Sequence, residues 1–300
     1  MTYIDLYQSG ELRKRVREAY ARLRSCDLCP RDCGVDRVAG QTGFCKAGLK
    51  PKIASANVHR GEEPPISGSR GSGTIFLSYC TLRCRFCQNY PISQFGNGEE
   101  MTTGELASRM LRIQRQGVHN INFVTPGHYL PQILAALLIA VPHGFRLPIV
   151  WNTSGYEKAE VLRLLDGIVD IYLPDMKYAD NEPAVRLSSA AGYRDCNRTA
   201  VKEMLRQVGH LKLDDEGIAV QGLIIRHLVL PQGAAGSRET LRWIAENLGT
   251  ETHIALMNQY FPAYLAQETP GINRKITDNE YREAVDALEE FGLENGWVQE

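Results

Sequence analysis

Cys80, Cys84 and Cys87 in CTLRCRFC place three thiolates in eight residues. A 4Fe-4S cluster has four irons and normally takes four thiolates, so three close cysteines with no fourth nearby leave one iron open to a substrate ligand. Two other chemistries use the same side chains. One is a zinc site borrowing a distant ligand, and the other is half of a ferredoxin-type cluster completed by Cys196 or Cys45. The C-x3-C-x2-C spacing directly after the strand-like run GTIFLSY is more specific than a lone C-x2-C. It favours the open-iron reading.

A second group, Cys26, Cys29, Cys33 and Cys45, reads C-x2-C-x3-C-x11-C, with Gly34, Gly40 and Gly43 supplying turns between them. Four thiolates close a coordination sphere, as structural zinc or an auxiliary iron-sulfur cluster would require, and spacing does not choose between these. A third reading leaves the group without metal. Of the eight cysteines only Cys196 lies beyond residue 87, and it reads as an ordinary partly buried thiol. Such clustering in a reducing compartment points to metal or redox chemistry rather than disulfides.

The whole chain sets bounds on partners. With 34 basic and 35 acidic residues in 300, the formal charge of −1 gives no global attraction to nucleic acid or to an anionic membrane. The longest apolar run, Ile133 to Val141, is about half of what a membrane span needs, and the opening MTYIDLYQSGELRKRVREAY is too charged for a signal peptide. The expectation is a soluble, cytoplasmic protein that binds neither nucleic acid nor membrane.

The elements that must position the cysteines follow from periodicity. Leu12, Val16, Ala19, Tyr20 and Leu23 recur at helical spacing, which predicts an amphipathic helix over 9–25 leading into the first cysteine group. GEEPPISGSRGSG, 61–73, has the composition of a turn-rich connector, in which Glu62 and Glu63 read as a solvated loop or as the lip of a site. Six apolar, β-branched runs then alternate with helical patterns: GTIFLSY, HNINFVT, LPIVWN, GIVDIYLP, LIIRHLVLP and HIALMN. Strands that are almost wholly apolar and separated by helices imply an α/β fold with a parallel sheet buried on both faces. Six βα units suffice for a partial barrel, although an open doubly wound sheet would alternate in the same way. Active residues belong at the C-terminal ends of the strands in either case. Thr102 and Glu105 form a capping box for the first barrel helix, and Asn89 is placed to cap the turn after the cluster loop. The division expected is an N-terminal helix and four-cysteine extension, 1–56, followed by the barrel and a C-terminal helix, 57–300.

CTLRCRFC resembles the radical S-adenosylmethionine (SAM) signature, in which the residue before the last cysteine is aromatic, as Phe86 is. The segments GSGTIFLSYCTLRCRFCQN, INFVTPGHYLPQI, VWNTSGYE, DIYLPDMKY, IIRHLVLP and LMNQYFP, in this order over residues 71 to 262, resemble the pyruvate-formate-lyase-activating-enzyme-like branch of that superfamily. The resemblance implies a partial (β/α)6 barrel. It also implies that SAM chelates the open iron through its methionyl amine and carboxylate. One electron then cleaves the sulfonium, and a 5′-deoxyadenosyl radical abstracts hydrogen from a substrate.

The same resemblance assigns site residues. Thr125, Gly127 and His128 stand where the family has a Gly-Gly-Glu type segment that binds the methionyl amine. Asn152 and Thr153 fall in an Asp-Thr-Asn-Gly type run, with Asn152 in place of the Asp. Asp175 and Lys177 match an Asp-x-Lys near the methionyl carboxylate and a monovalent cation, and Arg226 is a second candidate for that carboxylate. Phe86 is placed beside the cofactor. Flavodoxin or ferredoxin is the implied electron donor, and the substrate is a glycyl radical enzyme, another peptide or a small molecule. The competing class is a non-catalytic iron-sulfur or zinc protein serving as electron carrier or scaffold, for which a 300-residue βα array is not needed.

Overall fold

The six apolar runs form six parallel strands, and four further strands extend the sheet. In the computed structural model, which describes residues 2–299, the strands are β1 (Lys52–His59), β2 (Ser72–Leu77), β3 (Glu99–Glu100), β4 (Ile121–Val124), β5 (Ile149–Thr153), β6 (Ile171–Pro174), β7 (Lys212–Leu213), β8 (Ala219–Leu228), β9 (His253–Met257) and β10 (Gly296–Val298). The sheet order is β10-β9-β8-β6-β5-β4-β2-β1-β3, with β7 paired to β8. Every neighbour from β2 to β10 along this path is parallel, whereas β1 runs antiparallel to β2 and β3.

Alternation along the strands sends side chains to two faces. Phe123, Trp151, Tyr172 and Ile225 face the covering helices, whereas Val150, Ile171, Leu173 and Ile224 face inward, where Ile66 of the short helix Pro64–Ser67 joins them. The helix Leu130–Ala140 is apolar on nearly all sides because it is packed against both the helix Glu11–Ala21 and the helix Thr103–Gln114. The Thr102–Glu105 capping box begins the last of these as expected. Residues of β2, β4, β5, β8, β9 and β10 line one cavity, so the sheet curls into a partial barrel rather than lying open.

Two sequence expectations change. The helix expected over 9–25 is Glu11–Ala21, preceded by Tyr3–Gln8 and followed by one 3-10 turn, Arg22–Ser25; Gly10, at φ 79°, takes the left-handed conformation that separates the two helices. The 61–73 connector contains the helix Pro64–Ser67, with Glu63 and Ile66 buried, because it closes the inner end of the barrel. Residue 56 lies inside β1. Among the described residues no helix is long and apolar enough to cross a membrane.

Candidate active site

Cys80, Cys84 and Cys87 lie in the loop that leaves β2, and all three line a cavity of about 820 Å³ at the C-terminal ends of the strands. Each sulfur has its own hydrogen-bond partner. Leu82 N–H donates to Cys80 Sγ at 3.3 Å, Ser188 Oγ–H donates to Cys84 Sγ at 3.0 Å, and Cys87 Sγ lies 3.1 Å from Ser93 Oγ. The loop backbone is fixed as well: Arg83 N–H and Arg85 N–H donate to the carbonyls of Ser188 and Leu187, satisfying orphan groups at the end of the helix Asn181–Ser188. Burial pushes the Cys80 thiol up to about 12 and the Cys84 thiol up to about 11, with neighbouring Lys177 opposing the rise at Cys84. Such thiols ionise only when a metal replaces their protons.

The strand ends opposite the loop carry polar groups. Thr125 has φ 58°, sparsely populated for a β-branched residue, and is tied down by its N–H donating to Asn152 O at 2.8 Å. Thr125, Asn152, Thr153 and Ser154 line the cavity with Asp175 and Lys177. Lys177 Nζ sits 2.6 Å from Asp175 Oδ2, both side chains being mostly buried. Burial opposes the lysine charge, but Asp175 and then Cys84 outweigh it and hold the amine above the ordinary lysine range.

The helix Tyr193–Val208 supports this rim from behind. Tyr193 Oη donates to the carbonyls of Ser154 and Asp175, and Asn197 Nδ2 donates to Asp175 O at 2.9 Å. Gly155, at φ 71°, makes room for that approach, since a Cβ there would meet Asn197 Nδ2 at 2.1 Å. Glu157 is buried beneath Thr153, accepting from Thr153 Oγ1 at 2.5 Å and Trp151 Nε1 at 3.2 Å, and desolvation pushes its carboxyl up to about 7.

Of the expected cofactor contacts, Gly127, His128 and Phe86 lie outside the cavity lining, and Arg226 lines it with its guanidinium already engaged. Arg226 lines the cavity, yet its guanidinium is taken by Glu63, at 2.5 and 2.7 Å, and by Glu62, at 2.5 Å, so it does not stand free for a substrate carboxylate. Burial opposes its charge and Glu63 then reinforces it, raising the guanidinium above its usual range. His128 lies outside the cavity lining, its Nε2 bonded to Ser78 O at 2.9 Å, and burial pushes the imidazole down to about 3, which keeps it neutral. Gly127 lies against Glu157, where a Cβ would come within 2.9 Å of Oε1. Phe86 points away from the cavity lining and packs on Tyr260 with ring centroids 5.8 Å apart. Asn89 occupies the N-cap of Tyr90–Ser93 without a side-chain capping bond and lines the cavity.

Glu62 and Glu63 are the residues that local reading undervalued. Their side chains are only 6% and 7% exposed, and both line the cavity. The connector composition hid them; two consecutive carboxylates before a proline-initiated turn were the available signal.

The donor set fits a 4Fe-4S cluster with one open iron. Three thiols face one cavity, and no fourth cysteine is among its lining residues. Among the described residues no three His, Cys, Asp or Glu side chains converge on a single-ion position, as a mononuclear site would need. A cubane gives each thiolate its own iron and has no such need. None of Cys26, Cys29, Cys33 and Cys45 lines this cavity; these four lie in a turn-built segment with no helix or strand between Ser25 and Lys52.

A family model described as the Radical SAM superfamily matches residues 74–231, the stretch from β2 through β8 that carries the three cysteines. The chain belongs to the radical SAM superfamily, and that membership makes it an enzyme of iron-sulfur and SAM chemistry. The uncharacterised protein MJ0674 of Methanocaldococcus jannaschii is 32% identical over 285 residues, 90% of this chain and 76% of that protein. MJ0808 of the same organism is 27% identical over 157 residues, 47% of this chain and 46% of that protein. Among solved structures, HydG, a maturase of the FeFe-hydrogenase, superimposes with TM-score 0.49 at 13% identity, covering 79% of this chain and 54% of HydG.

Proposed function

We propose that this protein is a radical SAM enzyme of the activating-enzyme-like branch, in which Cys80, Cys84 and Cys87 hold a 4Fe-4S cluster and the polar strand ends hold SAM. The observation that carries the reading is the single cavity shared by three hydrogen-bonded thiols and by the Asn152, Thr153, Asp175 and Lys177 rim. When bound, the cluster and SAM supply the one-electron cleavage that yields methionine and a hydrogen-abstracting 5′-deoxyadenosyl radical.

The chain's own residues then have distinct tasks. Lys177, kept cationic by Asp175, is suited to a carboxylate, and the second Asp175 oxygen is suited to an ammonium or a monovalent cation. Thr125, Asn152 and Thr153 offer neutral donors and acceptors at fixed positions, with Thr153 oriented by Glu157. Glu62, Glu63 and Asp175 against Arg226 and Lys177 make three carboxylates to two cations, one carboxylate in excess. That balance suits SAM, which carries a net positive charge with its sulfonium. Phe76, Val124 and Leu256 give the wall apolar surface that excludes water and competing hydrogen donors.

The substrate is a glycyl radical enzyme, another peptide or a small molecule, and the electron donor a flavodoxin or ferredoxin. A second, largely apolar cavity of about 860 Å³ adjoins the first at Gln259 and Gln299, which favours a substrate longer than the SAM site alone would take. In this reading the segment ahead of β1 is a metal-binding extension holding zinc or a second iron-sulfur cluster.

The test is anaerobic reconstitution with iron and sulfide, followed by dithionite and SAM. Methionine and 5′-deoxyadenosine are expected in equal amounts. Absence of both with the cluster present would overturn the reading.

A further inference from the structure

Three arginines gather around the four-cysteine segment without an acidic partner. Among the described residues Arg31, Arg37 and Arg83 take part in no ion pair, although Arg37 is only 1% exposed. Arg37 spends its donors on backbone carbonyls, Gly48 at 2.6 and 3.2 Å and His128 at 2.7 Å. Arg31 donates to Thr81 O at 3.0 Å, and its Nη2 is buried with no partner. Arg83 donates to Phe44 O at 2.5 Å and to Cys80 O at 3.0 Å. Buried cations are rarely left without a counter-charge.

These same side chains join the two cysteine groups. Arg31 lies between Cys29 and Cys33 in sequence, and Phe44 immediately precedes Cys45. The Phe44 ring has the Arg31 guanidinium 3.7 Å and the Arg83 guanidinium 4.6 Å from its centroid. Two like charges gathered on one ring repel each other, so the stack needs a negative neighbour. The charge of Arg31 reaches both Cys29 and Cys80, and that of Arg37 reaches Cys26.

The four cysteines are close together and preorganised. Cys29 lies within electrostatic reach of Cys26, Cys33 and Cys45. The N–H groups of Leu28 and Arg31 are directed at the sulfurs of Cys26 and Cys29. Gly43 leaves space for Cys33, whose Sγ would lie 2.5 Å from a Cβ added there. The sulfurs do not meet at a single-ion position, and a polynuclear cluster is bound through thiolates on separate irons. Four thiolates on a 4Fe-4S core of two positive charges leave a doubly negative centre.

We infer that Cys26, Cys29, Cys33 and Cys45 bind a second iron-sulfur cluster, whose negative charge is the partner of Arg31, Arg37 and Arg83. Through the Arg31–Phe44–Arg83 stack this cluster holds the loop of Cys80, Cys84 and Cys87 in place. The first statement stands apart from the proposed function, whereas the second rests on it, because it takes the loop to carry a cluster.

The test counts iron and zinc in full-length protein reconstituted anaerobically with iron and sulfide. The parent is expected to hold about eight irons per chain, and both the Cys29→Ser/Cys45→Ser and the Cys80→Ala/Cys84→Ala/Cys87→Ala variants about four, with no zinc. An Arg31→Met variant, which keeps every cysteine, is expected to lose iron from the loop site to a chelator about ten times faster than the parent, at unchanged circular dichroism. Equal iron in the parent and the Cys29→Ser/Cys45→Ser variant, or one zinc in place of four irons, overturns the second cluster. An unchanged rate of loss in Arg31→Met overturns the coupling. Iron retained by the triple variant does not depend on SAM cleavage, so failure of the proposed function would leave that arm readable.

Discussion

The thiols of Cys80, Cys84 and Cys87 open onto a cavity, and the last two are held by the hydroxyls of Ser188 and Ser93, whereas those of Cys26, Cys29, Cys33 and Cys45 lie among local turns, surrounded by arginines. Ser188 reaches Cys84 across 104 residues, while Leu28 and Arg31 serve the N-terminal group from two residues away. A site that must admit a substrate leaves part of its coordination to the outside, and a closed site spends every ligand on the metal. Ligand count and spacing point to metal binding in both places, whereas the surroundings of the sulfurs decide whether chemistry happens there.

Four experiments test this contrast. Cys84→Ala should abolish 5′-deoxyadenosine formation, measured by chromatography after single turnover, while leaving the N-terminal cysteines able to bind metal. Asp175→Asn removes the partner of a largely buried lysine and should destabilise the fold by about 3 kcal/mol in denaturant titration, with SAM binding weakened in parallel. If stability were unchanged, Lys177 would not depend on Asp175, and the rim would be no more than a surface pair.

The third concerns pH. The Glu157 carboxyl is raised in the folded protein to about 7 from the ordinary 4.5. Its contribution is therefore fully present below pH 4.5, falls through the window up to about 7, and is lost above it. The span corresponds to about 3 kcal/mol, so stability should drop across this window in the parent and stay flatter in Glu157→Gln. Parallel pH curves for the two proteins would remove Glu157 from the support of Thr153.

The smallest effect is expected for Ser188→Ala. It deletes one hydrogen bond to the Cys84 sulfur, worth about 1 kcal/mol, and should make the loop cluster harder to reduce by some tens of millivolts. Redox titration followed by electron paramagnetic resonance reads this directly. A matching shift in signals from the N-terminal group would show that the two sites are not separately held.

Local pattern carried the fold. Each parallel strand except the exposed edge strand β10 is an apolar run separated from the next by helical periodicity, and burial on both faces leaves such a run little alternative. It also carried the cysteine triplet and the Asp175–Lys177 pair, because both follow directly on a strand and so emerge at the rim. The partners of those residues had no local signature. Arg226 meets Glu63 across 163 residues, Arg83 meets Phe44 across 39, and Glu157 finds its place only once Gly127 and Thr153 come together around it.

His128 and Phe86 mark the same boundary from the other side. Both sit at sequence positions beside the site, yet each packs behind it, against Tyr129 and Tyr260 respectively. Periodicity and spacing fix which residues emerge at a strand end, since backbone geometry repeats over two or four residues. Which charge neutralises which, and which side chain turns inward, depends on packing between segments far apart in sequence, and it is decided only when the curled sheet brings them into contact.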